Sequence, residues 1–379
     1  MQADLILRNA RIVLADEVID GSLSVRDGRI VDIASGPSTV GEDCDGDYVI
    51  PGLVELHTDH LEGHYAPRPK VRWNPKAAVL AHDAQIATAG ITTVFDALRV
   101  GTDKGDELQA PDMTVLGAAI GEALSAGQLR ADHRIHLRCE VSAEHCLAEF
   151  EAHAANPLVK LASLMDHAPG QRQFVRFEEY AVYYMGKNKM TQEEFDLFCE
   201  RRMASSARYS GANRAALTQA CHARGIILAS HDDATLAHVD EAIEQGIRVA
   251  EFPTTAAAAE ASREAGMAVL MGAPNVMRGG SHSGNVSARQ LAETGHLDIL
   301  SSDYIPFSLL QSAFVLSQVV DSVSLPQSVA MVSKTPAEAV GLSDRGEIAV
   351  GRRGDLVRVR LDDEVPVVRS VWREGLRVA

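Results

Sequence analysis

A chain of 379 residues is long for one compact core and short for three, so one large domain with a small appendage is expected. Its 46% apolar and 23% charged residues exclude a disordered or fibrous protein and read as an ordinary soluble globular chain. A formal net charge of −16 speaks against nucleic acid and anionic membrane as partners, while saying nothing about the sign of a local pocket.

The chain begins with β-like segments. "DLILRNARIVL", "GSLSVRDGRIVDI" and "DYVIPG" alternate apolar and polar residues and are broken by turns such as Asp27-Gly28. The end looks alike, with "RGEIAVGRRGDLVRVRL" and "VRSVWREGLRVA". Two β-rich ends that flank a different middle must meet to bury their apolar faces. Residues 1–50 and 345–379 are therefore expected to form one small β-sandwich domain. The start, "MQADLILRNA", has an acid at position 4 and no apolar signal segment, and no run is apolar enough to span a bilayer. The five cysteines are scattered and form no C-x-x-C, which suits a reduced compartment and a cytoplasmic location.

Residues 51–344 alternate apolar strands with helical stretches. Strands are expected at Val49–His57, Ile91–Leu98, Arg134–Val141, Val159–His167, Ile226–His231, Arg248–Pro253, Met267–Gly272 and Leu297–Asp303. Helices lie between most of them; in "NPKAAVLAHDAQIATAG", Asn74 is the N-cap, Pro75 opens the first turn and Gly90 stops it. Eight apolar strands with intervening helices are what a closed (β/α)8 TIM-like barrel needs, because both faces of each strand are buried. The rival, an open doubly wound sheet, would carry a glycine-rich phosphate turn after its first strand, and none is present. Residues 168–225 break the rhythm with a long helical, aromatic and charged stretch. It reads as an insertion over the barrel mouth.

Metal-ligand side chains collect at strand C-terminal ends: His57, Glu140, His167, His231 and Asp303. In a parallel barrel those ends converge on one mouth. A lone histidine there is ordinarily a satisfied structural group. Five such groups at one end would cost several kcal/mol each if buried unpaired, and one or two divalent cations remove that cost. In "HTDHLEGHYAPRPK", strand alternation turns His57 and Asp59 to the same side, toward the barrel axis, as a ligand pair. His60 is then a neighbour or alternate ligand, His64 either a substrate contact or a solvated loop residue, and Glu62 scaffolding. Asp303 in "ILSSDYIP" either manages the proton of an attacking water or caps the helix beginning near Ser308.

"VIPGLVELHTD", "LASHDD", "ILSSDYIP", "KTPAEAVGL" and "GEIAVGRRGDLVRV" together resemble the amidohydrolase superfamily of metal-dependent barrels over essentially the whole chain. "ELHTDHLEGHYAPRP", "YMGKNKMT" and "MGAPNVMRGGSHSGNVSA" resemble one branch, which serves phosphonate degradation through the carbon–phosphorus lyase pathway. That branch hydrolyses the acid anhydride of a ribose 1-methylphosphonate 5-triphosphate between the α and β phosphorus atoms and releases diphosphate. The resemblance implies metal ligands at His57, Asp59, Glu140, His167, His231 and Asp303. The metal would be zinc, manganese, iron or magnesium. It further implies the small phosphonate ribose triphosphate as partner and a possible homo-oligomer. Two departures stand out. Asp59 replaces the second histidine of the family's H-x-H, and the two later histidines fall one strand earlier than the pattern places them.

The reaction makes sense of the loop cations, since phosphoryl transfer is largely positioning and charge neutralisation. Arg68, Lys70 and Arg72 follow the first strand, Lys187 and Lys189 lie in the insertion, and Arg278 opens "RGGSHSGN" after the seventh. His60, His64, Arg68, Lys187, Lys189, Arg278 and His282 are the expected substrate contacts; each cation taken singly could equally be a solvated surface charge. An amidohydrolase acting on a C–N bond, such as a cyclic amidase or deaminase, is the alternative, against which the basic loops argue. A barrel subunit without turnover is a third reading, against which the complete ligand set argues.

Overall fold

The segment expected as one strand over Val49–His57 is two strands in different sheets. The computed structural model describes residues 4–102, 107–172, 185, 190–280 and 285–379. Strands β1 (Leu5–Val13), β2 (Val18–Arg26), β3 (Arg29–Ser35), β4 (Glu42–Asp43) and β5 (Tyr48–Pro51) open the chain. The barrel follows with β6 (Leu53–Thr58), β7 (Ile91–Val100), β8 (Asp132–Glu140), β9 (Val159–Met165), β10 (Ile227–His231), β11 (Val249–Glu251), β12 (Ala268–Gly272) and β13 (Ile299–Ser301). Strands β14 (Leu356–Asp362), β15 (Val365–Arg373) and β16 (Leu376–Arg377) close it.

The terminal strands form one sheet in the order β16-β15-β14-β5-β1-β2-β3, with β4 on β1. Arg29 of β3 also bridges to Arg353 just before β14, so the sheet curls over its own core of Leu7, Ile12, Leu23, Ile30, Leu356 and Trp372. It also joins a core shared with the barrel, where Val13, Ile50, Val357 and Val371 pack with Ile91 at the start of β7 and with the helical Ile86 and Leu309. Gly52 is the crossing point between the sheets. A Cβ there would lie 2.2 Å from Thr92 Oγ1, so only glycine lets the chain pass that close.

The barrel strands lie in the order β13-β12-β11-β10-β9-β8-β7-β6, and a parallel bridge between Thr58 and Asp303 brings the last beside the first. Each expected barrel position carries a strand, because strands buried on both faces leave continuous apolar runs in the sequence. The lower interior is apolar, with Val54, Leu56, Phe95, Leu161, Ala229, Val249, Leu270 and Ile299, and Ala337 and Val340 pack with it. Its upper interior is polar, and the candidate site lies there.

Helices α1 (His60–Tyr65), α2 (Pro75–Thr88), α3 (Ala110–Ser125), α4 (Cys146–Ala154) and α5 (Gln192–Arg224) follow in chain order. The Asn74 side chain caps α2 by accepting from the Ala77 N–H at 3.0 Å, as the sequence indicates. Most of the described part of the expected insertion is α5, a helix of 33 residues with a Thr191/Glu194 capping box and Gly225 in the left-handed conformation at its end. Asn213 of α5 donates to Val141 O and Ala143 O at 2.9 and 2.8 Å, holding the helix beside the C-terminal end of β8. All five cysteines are buried and free. Among the described residues no helix is long and apolar enough to cross a membrane.

Candidate active site

The polar end of the barrel is organised around Glu251, the last residue of β11. This carboxylate is fully buried and approaches His57 Nδ1 at 3.3 Å and His231 Nδ1 at 3.1 Å. Ser163 Oγ donates at 2.6 Å to Oε2, the oxygen that also faces His231, and contacts His136, whose Nδ1 donates to Leu56 O at 2.9 Å. Burial works against the charge of Glu251, but the facing His57 and His136 rings and the hydrogen bonds it accepts hold it well below the usual carboxylate range. Against its own burial, His57 is raised by the Glu251 charge. An ionised carboxylate accepts only, so both Nδ1 atoms carry the proton. In the neutral rings the Nε2 atoms of His57 and His231 then carry the lone pairs.

His57 reaches this position through an irregularity. Register shifts between Glu55 and Thr58, so Leu56 and its neighbour His57 both lie inside the barrel. Phe252, left-handed at φ 53°, packs at 5.2 Å against the rings of His57 and His231. Asp232 and Asp303 are left-handed too, at φ 58° and 55°. Non-glycine residues held in that conformation at three strand ends mark a site whose surroundings over-determine the backbone.

A second convergence lies on the β9–β10 side. His231 Nε2 and His167 Nε2 approach the same Asp232 oxygen, Oδ2, at 3.4 and 3.7 Å. That oxygen is buried with no hydrogen-bond partner, although Asp232 is only 4% exposed. His167 Nδ1 meets Glu140 Oε2 at 2.6 Å, and Arg202 stands 3.6 Å from the other Glu140 oxygen. Burial opposes the Glu140 charge, yet His167 and Arg202 hold it down at about 2.

The third part carries cations. Asp59 lies past the end of β6 at the N-cap of α1, so loop geometry rather than strand alternation places it. Its Oδ2 accepts from Arg138 Nη1 at 3.1 Å, and Arg99 holds Glu62 at 2.7 Å. Despite burial, Arg138, His57 and Arg99 keep Asp59 below the usual range. Asp303 goes the other way: burial and then the neighbouring Asp59 charge raise it. Arg138 Nε is buried with no partner and remains available to an anion.

Of the residues expected from sequence, His57, Asp59, Glu140, His167, His231 and Asp303 therefore meet at one mouth. Arg278 Nη1 donates to the exposed hydroxyl of Tyr304, the residue after Asp303, at 3.3 Å. His60 and His64 instead turn to Gln85 on α2, at 3.0 and 3.2 Å. Arg68 is exposed on the loop beyond α1. Arg72 pairs with Asp112 at 3.0 Å and Glu107 at 3.8 Å beside Lys70, around a cavity of about 490 Å³. Lys187, Lys189 and His282 lie outside the described residues.

Sequence reasoning missed Glu251, Asp232, His136 and Arg138. Glu251 lies inside the expected strand Arg248–Pro253 and ends the observed, shorter one, and Asp232 directly follows an expected ligand, so the strand-end signal lay within two residues of both. The histidines also stay where the sequence counts them, His167 just past β9 and His231 at the end of β10, with Glu251 ending the next strand.

The donor set suits a divalent cation. Imidazole Nε2 atoms with oriented outer partners, and an orphaned buried carboxylate oxygen between two of them, are what such an ion needs. Glu251→Gln is accordingly expected to weaken metal affinity by about 10–100-fold, because the amide keeps one acceptor oxygen where the carboxylate has two and sets an NH2 donor against the other Nδ1 proton. Competition against a chromophoric chelator measures this, and unchanged affinity would remove the orienting role.

Residues 161–379 match the amidohydrolase family. The chain is 48% identical over 379 residues to the α-D-ribose 1-methylphosphonate 5-triphosphate diphosphatase of Escherichia coli strain K12, covering 99% of this chain and 100% of that protein. Among solved structures, a 5-methylcytosine deaminase from Klebsiella pneumoniae superposes with a TM-score of 0.66 at 14% identity, covering 99% of this chain and 97% of that one. An N-acetylglucosamine-6-phosphate deacetylase from Thermotoga maritima gives 0.61 at 16% identity, with 99% of each chain covered. These structural likenesses establish the barrel and its companion sheet.

Proposed function

The chain belongs to the amidohydrolase family, and from that premise we infer that it hydrolyses α-D-ribose 1-methylphosphonate 5-triphosphate to the 5-phosphate and diphosphate. The observation that carries the reading is the end-to-end similarity to the E. coli diphosphatase. The protein is thus a hydrolase of phosphorus anhydride bonds that serves phosphonate breakdown. Five free thiols suit a cytoplasmic location.

Water attacks the α-phosphorus, the α–β bridging P–O bond breaks, and diphosphate leaves. His57, His167, His231, Asp232 and Asp303 would hold one or two divalent cations, zinc, manganese, iron or magnesium. Such a cation supplies Lewis acidity toward phosphoryl oxygen and acidifies water. Glu251 and Glu140 orient the imidazoles from behind. Asp303, raised by burial and Asp59, accepts the proton of the attacking water. Arg138 and Arg278 stabilise the charge that accumulates on the departing diphosphate. Asp59 then acts chiefly by fixing Arg138, which gives a reason for an aspartate where the family pattern has a histidine.

Phosphorus NMR of the purified protein with the ribose triphosphate and each of the four metals tests the reading. Diphosphate and the 5-phosphate are expected, with cyclic amides left intact. Silence under every metal, or ring opening of an amide, would overturn it.

A further inference from the structure

Arg138 has a neighbour of its own kind at the barrel rim. On β7, Phe95 lines the barrel interior while Leu98 and Val100 pack toward the helices, so alternation turns Arg99 inward. On β8, Leu137 and Cys139 belong to the helix-side core, and His136 and Arg138 face inward. Arg99 and Arg138 are register partners on these two parallel strands, which sets their backbones one strand spacing, about 4.8 Å, apart.

Helix α1 meets the two arginines with two carboxylates at a matching interval. Asp59 at the N-cap and Glu62 are three residues apart, roughly the 5–6 Å of one helical turn. Asp59 Oδ2 accepts from Arg138 Nη1 at 3.1 Å, and Glu62 Oε2 accepts from Arg99 Nη2 at 2.7 Å. Each contact uses one nitrogen of a guanidinium that carries five N–H donors. Arg138 Nε is buried without a hydrogen-bond partner, and among the described residues Arg99 donates to Glu62 alone. A fork closed on its carboxylate by two parallel bonds would have little left to give, and neither is closed here. The side chain of Arg138 is 19% exposed and that of Arg99 38%, so Arg99 is the outer of the two. Two cations and two anions balance, so the empty quartet buries no unpaired charge, and the carboxylates hold both guanidiniums in place before an anion arrives.

We propose, on the triphosphate reading of this mouth, that Arg99 and Arg138 form a two-guanidinium clamp for the diphosphate part of the substrate. Arg138 takes the phosphoryl group next to the reacting one, and Arg99 takes the terminal one. Asp59 and Glu62 are positioning residues that set the width of the clamp. Two phosphoryl groups joined by a bridging oxygen span both forks, whereas a single phosphate reaches one and a neutral ring engages neither. The clamp thus selects a polyphosphate ester over a monoester and keeps hold of the diphosphate as the P–O bond breaks.

Calorimetric titration of inorganic diphosphate into the metal-loaded protein tests this without turnover. Arg99→Gln is expected to weaken diphosphate binding by about 10–100-fold, the loss of one charge-assisted contact, and to leave orthophosphate binding nearly unchanged. Arg99→Lys keeps the charge without the fork and should recover part of the loss. Unchanged diphosphate affinity in Arg99→Gln would overturn the clamp, as would a variant whose only defect is a lower melting temperature, because Arg99 would then merely strap α1 to the rim. Wild-type protein that hydrolyses the triphosphate yet binds diphosphate no more tightly than orthophosphate would overturn the clamp and leave the proposed function standing. Binding of diphosphate that depends on Arg99, in a protein that leaves the triphosphate intact, would support the clamp and sink that function. Wild-type crystals grown with diphosphate need no variant: both guanidiniums are expected on the ligand, and a diphosphate held without Arg99 would overturn the assignment.

Discussion

Asp303→Asn is expected to lower kcat by about 10²–10⁴-fold with little change in fold or in KM. The residue is held from several directions. Its N–H donates to His57 O at 3.1 Å, and Thr58 Oγ1 donates to its carbonyl at 2.7 Å. Its left-handed φ of 55° is one an asparagine adopts as readily, so the substitution removes the base without moving the backbone. Burial and the Asp59 charge raise the carboxyl, so the group must lose its proton before it can accept another. Activity should therefore fall as pH drops through that raised value, and the acid limb should vanish in Asp303→Asn. Steady-state diphosphate release across pH measures both effects. A variant with wild-type kcat would transfer the base role elsewhere.

Asp96→Asn is expected to cost about 3–5 kcal/mol of folding stability, the usual loss when one partner of a buried ion pair is removed. Asp96 bridges His82 and His133 behind the barrel wall, and His133 also meets Asp83 at 3.3 Å. Burial alone would discharge His133, but the Asp96 and Asp83 carboxylates raise it from 6.5 to about 9. A raised histidine stabilises the fold fully below its unfolded value and loses that contribution as pH climbs through its folded value. Asp96 is lowered despite burial, by the His133 charge and the hydrogen bonds of both imidazoles, so its share is present above the ordinary carboxylate range and disappears in acid. The stability gap between wild type and Asp96→Asn should be widest around pH 5–6 and narrow toward pH 9. Urea unfolding of the metal-free proteins across that range reads it, and a gap that does not change with pH would show His133 to be uncharged in the fold.

Much of this was legible from residue order. Barrel strands are buried on both faces, so each announced itself as an apolar run, and the catalytic end of a barrel is the strands' C-terminal end. Those rules alone brought His57, Glu140, His167, His231 and Asp303 together. Alternation within a strand misled at Asp59, because β6 is irregular and ends before it. Alternation also hid the split at Gly52, where one apolar run serves two sheets. His60 and His64 look like site residues by proximity to His57, yet the turn into α1 carries them to Gln85.

Composition, periodicity and motif spacing thus determined the architecture, the family resemblance and the list of groups that carry chemistry. The closed barrel decided their roles. Whether a carboxylate binds a metal, orients an imidazole or neutralises an arginine depends on which atom it faces, at distances of 2.6–3.7 Å across strands far apart in sequence. Glu251 orients two histidines, Asp59 fixes Arg138, and Asp232 keeps an oxygen free. No local pattern separates those fates, because hydrogen bonds and desolvation act over a few ångströms of space while sequence records only order along the chain.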